Sequence, residues 1–117
     1  MPPRQWRFRV EDILSAIGRI QHYISGMTYE QFCADQRTID AVLRNFEVIG
    51  EAARHIPSAV EARHPNVPWR QMRAMRNGLI HDYPEVELAM VWDAVQQDLA
   101  PLIPLLQSLL QSGDSGT

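Results

Sequence analysis

Lysine is missing from all 117 residues, and every one of the eleven basic side chains is an arginine. Codon usage in a GC-rich genome produces such a bias, so the arginine count is no argument for nucleic-acid binding by itself. Cysteine is nearly missing too. Cys33 alone excludes a disulfide framework and any cysteine-based zinc site, and is expected to be a buried thiol in a reduced, cytoplasmic protein. No apolar run approaches the ~20 residues of a membrane span, so no membrane partner is expected. The opening MPPRQWRFRVED has no apolar leader core and reads as a mature start. Strand-like alternation, a phosphate-cradling glycine loop and a serine or cysteine nucleophile motif are all lacking.

What is present suffices for one ordinary domain. Hydrophobic residues make up 45% and charged residues 21%, which excludes disorder over most of the chain. The net charge of −3 hides an uneven distribution. All the arginines lie in residues 1–76, whereas residues 77–117 carry acids and no base. Between Arg63 and Arg76 there are arginines and His64 but no acid, a local basic patch able to meet a phosphate backbone.

Apolar periodicity predicts helices almost throughout. Val10, Ile13, Leu14, Ile17, Ile20 and Ile24 mark the first, closed by Gly26. Thr28 and Gln31 form a capping box over a short helix through Phe32. A stronger helix follows Asp35, carries Ile39, Val42, Leu43, Phe46, Ile49, Ala53 and Ile56 on one face, and ends at Pro57. Ser58 and Glu61 suggest a second capping box and a short helix before Pro65. Pro68 suits the first turn of a helix expected to run from Trp69 through Leu79. A last long segment follows Pro84 with Leu88, Val91, Trp92, Val95 and Leu99 on one face, and Pro101 is expected to kink it before Leu102–Leu110. The fold class is therefore all-α: an antiparallel bundle of four main helices with short accessory helices, spanning residues 1–111, with a flexible tail over 112–117.

The third helix has further faces. Asp40, Arg44, Glu47, Glu51 and Arg54 oppose its apolar side, in the manner of a solvated, ion-paired face. Ala41, Asn45, Val48 and Ala52 form a flank of small side chains, which a neighbouring helix of the same bundle or of a second copy could approach. Glu51 and His55 stand four apart and could share a metal, but no third ligand has a fitting spacing. A surface pair is expected there, with no metal and no cofactor. No sequence spacing picks out a partner for His22 or His64.

One segment stands apart: Arg73-Ala74-Met75-Arg76-Asn77-Gly78-Leu79-Ile80-His81-Asp82-Tyr83-Pro84. On an ideal helix Arg76 falls between Met72, Leu79 and Ile80, on the apolar stripe, where a guanidinium needs an anion. That anion could be a structural carboxylate such as Glu47 or Glu51, or a substrate phosphate that a guanidinium fork matches. His81, five residues on, lies ~140° round a straight helix from Arg76. Either the helix loosens at Gly78, or the site is completed across a cleft. Arg73, Asn77 and His81 form a more continuous polar edge suited to a ribose or phosphate.

Arg76-x4-His81-x-Tyr83 resembles the Arg-x4–6-His motif of HEPN domains, in the form found in HepT toxins paired with the minimal nucleotidyltransferase MntA. Asp40-Ala41-Val42-Leu43-Arg44-Asn45, Ile49-Gly50-Glu51-Ala52, Pro68-Trp69-Arg70 and the closing Val91-Trp92…Asp98-Leu99 look like family blocks in the right order, over roughly residues 7–106. The resemblance implies metal-independent RNA cleavage. Arg76 would stabilise charge on the phosphoryl oxygens, and His81 would serve as general base or acid. Arg73 and Asn77 would support RNA binding. A homodimer would bring two motifs to one cleft, and an MntA-like antitoxin would silence the toxin by attaching AMP to Tyr83. The alternative is a non-catalytic module that holds a nucleotide or stabilises an assembly with a nucleotidyltransferase.

Overall fold

The computed structural model describes residues 3–76 and 84–112. Seven helices and no strand occur among them: α1 (Pro3–Ile24), α2 (Tyr29–Cys33), α3 (Gln36–Arg54), α4 (Ser58–Arg63), α5 (Trp69–Ala74), α6 (Pro84–Gln97) and α7 (Leu99–Gln111). Four are long and three are one- or two-turn connectors, so the expected all-α bundle is the observed one.

Local chemistry explains most of the boundaries. Gly26 takes a φ of +78°, a left-handed conformation that glycine adopts without Cβ strain, and so turns the chain away from α1. The Thr28 capping box is complete: Oγ1 accepts from Gln31 N–H at 3.1 Å, and Thr28 N–H donates to Gln31 Oε1 at 2.9 Å. Asp35 caps α3 by accepting from Thr38 N–H at 3.1 Å.

Four expectations need correction. Ser58 does not cap α4. The Pro57 carbonyl already accepts from Val60 and Glu61, which makes Pro57 the cap and Ser58 the first helical residue, with no side-chain cap bond. Pro68 likewise caps α5 rather than opening it, its carbonyl accepting from Met72 N–H at 3.1 Å. The break before the last helix falls at Asp98, ahead of Pro101, which then sits in the first turn where no N–H is required. Pro104 follows inside α7 and leaves the Ala100 carbonyl without its helical donor. Cys33 is exposed, because the short α2 commits only Phe32 to the core.

α1 and α3 form the main pair. Trp6, Val10, Ile13, Ile17 and Ile20 of α1 are wholly buried, as are Val42, Phe46, Ile49 and Ala53 of α3. α7 closes the other side of α1 through Leu99, Leu102, Leu106 and Leu109, and Arg7 of α1 donates to the Leu110 carbonyl. α6 adds Val91 and Val95, while its half-buried Trp92 sets its ring against Phe32 at 5.2 Å. The small-residue flank of α3 is partly covered from within the chain. Asn45, only 5% exposed, accepts from Arg19 Nε at 2.8 Å and donates to the Ala41 carbonyl at 2.8 Å. α5 packs on α3, with its Trp69 and Met72 and the following Met75 buried, and Arg76 comes to the α3 surface.

Candidate functional site

Arg76 does not extend a long helix. α5 stops at Ala74, and the next two amides tighten into bonds to the third residue back: Met75 N–H to Met72 O at 3.2 Å and Arg76 N–H to Arg73 O at 3.3 Å. The helical wheel that put Arg76 on an apolar stripe therefore ends before it. Met75 is buried, whereas Arg76 is 44% exposed along its side chain.

Two consecutive residues of α3 receive it. The first is Gly50: a Cβ built there would lie 2.5 Å from Arg76 Cβ and 2.7 Å from its amide nitrogen. Only a residue without a side chain admits the Arg76 backbone at that distance. The second is Glu51, whose Oε1 meets Arg76 Nε at 3.3 Å. Of the two carboxylates considered from the sequence, Glu51 is thus the partner, while Glu47 faces Arg44 at 3.8 Å. Glu51 occupies the last turn of α3, where the helix dipole disfavours an anion, and three cationic groups or potential cations surround it. Arg54 Nη1 donates to Oε1 at 3.1 Å, Arg76 approaches the same oxygen, and His55 Nδ1 lies 3.7 Å from Oε2.

Arg76 borders a groove of about 320 Å³ between α1 and α3, lined also by Arg9, Asp12, Arg44, Glu47, Val48, Glu51 and Ala52. A second hollow of about 290 Å³, walled by Gln5, Phe8, Arg9 and Asp12, shares two residues with it, so the depression continues along α1. The lining positions follow helical logic. Residues 5, 8, 9 and 12 form one stripe of α1, and 44, 47, 48 and 51 the matching stripe of α3. Three arginines of this groove alternate with three carboxylates, which spaces the guanidinium groups and leaves the trench near neutral overall.

The other residues singled out in sequence divide into two groups. Arg73 points elsewhere: its Nη1 pairs with Glu61 Oε2 of α4 at 2.6 Å, and it does not line the groove. Asn77, His81 and Tyr83 lie outside the described residues. Sequence reasoning offered Glu51 as one of two carboxylates for Arg76 and missed Arg9, Arg44 and Gly50 as its neighbours. A signal for the last existed. Glycine in the middle of a strong helix costs ~1 kcal/mol relative to alanine, so Gly50 marked a close approach.

Comparison with known proteins gives the class. The model of the family described as "Ribonuclease HepT-like" matches residues 13–109, which makes this all-α chain a ribonuclease by descent. It belongs to the HepT-like ribonuclease family. It is similar to the "Probable ribonuclease HepT" of Thermococcus cleftensis, with 40% identity over 80% of this chain and 84% of that one. It is also similar to a "Putative RNase" of Methanocaldococcus jannaschii, with 37% identity over 81% of this chain and 78% of the other. No solved structure gives a significant match.

Proposed function

We propose that this chain is the toxin of a HEPN/MNT toxin–antitoxin pair, a metal-independent endoribonuclease whose Arg76 and His81 act on one phosphodiester. Family membership supports RNA as the substrate, and the relatives carry ribonuclease names. The observation that carries the reading is the placement of Arg76: its guanidinium borders an open groove and is engaged by Glu51 through Nε. The terminal nitrogens are the pair that forks a phosphate.

In this reading the ribose 2′-hydroxyl attacks the adjacent phosphorus as His81 moves the proton, and the bond to the 5′-oxygen breaks. The products are a 2′,3′-cyclic phosphate and a 5′-hydroxyl. Arg76 offsets the charge that builds on the non-bridging oxygens. Asn77 supports the RNA, while Arg73, held by Glu61 away from the groove, has no part in this reading. Two copies supply one cleft in a cytoplasmic homodimer, and an MntA-like nucleotidyltransferase attaches AMP to Tyr83. The added phosphate and base occupy the RNA path and repel its backbone.

The test is cleavage of RNA by the purified protein in excess EDTA. Cleavage with cyclic-phosphate ends, lost in Arg76→Ala and in His81→Ala without unfolding, is the expected result. Activity abolished by EDTA, or retained in both variants, contradicts the mechanism. With the cognate nucleotidyltransferase and ATP, peptide mass spectrometry should place AMP on Tyr83 and not on Tyr23 or Tyr29, and Tyr83→Phe should escape silencing.

A further inference from the structure

Arg76 leaves a short helix in a tight turn, and a side chain of that length samples many rotamers unless something fixes it. Two constraints on it come from adjacent residues of α3. Gly50 fixes the Arg76 backbone against the helix, at a separation no side-chain-bearing residue could accept. Glu51, one residue on, sets the head group as an ion pair, its Oε1 lying 3.3 Å from Nε. Glu51 is in turn held in place. Arg54 Nη1 donates to its Oε1 at 3.1 Å, and His55 Nδ1 lies 3.7 Å from Oε2 while contacting the Glu51 main-chain carbonyl at 2.9 Å.

The chemistry of a guanidinium makes the choice of edge consequential. Its donors form a rigid fork, and a carboxylate at Nε leaves the two terminal nitrogens for another oxyanion. On the groove side, Arg9 and Arg44 are the other guanidinium groups of a lining that also carries Asp12 and Glu47. A carboxylate that took both terminal nitrogens would instead compete with the phosphate.

We infer that Glu51 is a positioning residue for the ribonuclease reaction: seated beside Gly50, it holds Arg76 by Nε and turns the terminal guanidinium nitrogens toward the groove. The inference rests on the catalytic role proposed for Arg76. Glu51 touches no substrate atom and acts only through Arg76.

Glu51→Gln keeps the shape of the side chain and removes its charge, so it separates positioning from packing. Because misplacing a catalytic group by about 1 Å costs on the order of 100-fold, kcat should fall about 10- to 100-fold with KM changed less than about threefold. The thermal midpoint should stay close to the parent, since both side chains are half-exposed and such pairs add little to stability. Glu51→Asp, which retains the charge on a shorter stem, should recover part of the lost kcat. The Nε–Hε resonance of Arg76 supplies a readout independent of turnover: it should be distinct in the parent and collapse toward that of a free arginine in Glu51→Gln. An unmoved resonance overturns the inference, and so does a change confined to KM. If the parent protein cleaves no RNA, the proposed function fails, while the resonance still decides whether Glu51 fixes Arg76.

Discussion

Gly50 and Arg76 meet backbone to backbone, so that a single added carbon at position 50 would stand 2.5 Å from Arg76 Cβ and 2.7 Å from its nitrogen. Neither side can yield cheaply. Gly50 is in the interior of the 19-residue α3, and the Arg76 amide is tied back to Arg73 O. The contact joins α3 to the end of α5, whose Met72 and Met75 are buried.

Gly50→Ala should therefore destabilise the protein although alanine is the better helix former. The propensity gain is ~1 kcal/mol, whereas forcing atoms into a filled contact costs about 1–3 kcal/mol or more. Urea unfolding should show a net loss of about 1–2 kcal/mol. A more stable Gly50→Ala protein would mean that the Arg76 segment withdraws freely from α3.

How much of this could be read beforehand differs by element. Helices with strong periodicity and local caps were legible: the stripe from Val10 to Ile20, the Thr28–Gln31 box and the Asp35 cap all depend on residues within a few positions of one another. The periodic stripe read from Val10 leaves out Trp6, which is buried one turn earlier. At Ser58 and Pro68 the sequence signals stand one residue from the observed positions, since a proline carbonyl can open a helix as well as a capping side chain can. A straight helix through Leu79 places Arg76 on a buried face, whereas the turn tightens after Ala74 and turns Arg76 outward. Spacing to His81 singles out Arg76, but local pattern narrows its carboxylate only to Glu47 or Glu51. Choosing between them required the docking of α5 on α3, a long-range contact that no local pattern encodes.

Asp35 makes the acid limb of stability testable. The Thr38 backbone N–H, and then the Thr38 side chain, bond to its carboxylate and hold its pKa below the ordinary aspartate value. A depressed folded-state pKa stabilises the fold above the unfolded-state value, and that contribution is lost as pH falls through the folded-state value. Asparagine caps about as well without titrating. Asp35→Asn should thus leave neutral-pH stability nearly unchanged and flatten the dependence of stability on pH below about 4. Unfolding curves over that range check it, and an unaltered slope would show that the cap contributes nothing to acid lability.

Arg9 tests whether RNA follows the groove beyond Arg76. Arg44 and Arg76 are each paired with a carboxylate of α3, at 3.8 and 3.3 Å, whereas Arg9 on α1 shows no ion pair among the described residues. It borders both hollows and so stands where an RNA leaving the Arg76 end would pass. A phosphate bound there would release its condensed counterion, which makes the contact visible as a salt effect. For a 2′-O-methyl oligoribonucleotide that cannot be cleaved, Arg9→Ala should weaken binding similarly for all sequences and lower the slope of log K against log salt by about 0.7. Arg73→Ala is the informative comparison, because Glu61 holds that guanidinium at 2.6 Å outside the groove lining. A slope reduced only in Arg9→Ala places the strand along α1. A slope unchanged in Arg9→Ala and reduced in Arg73→Ala would route it over α4 and α5, and the groove would then serve Arg76 alone.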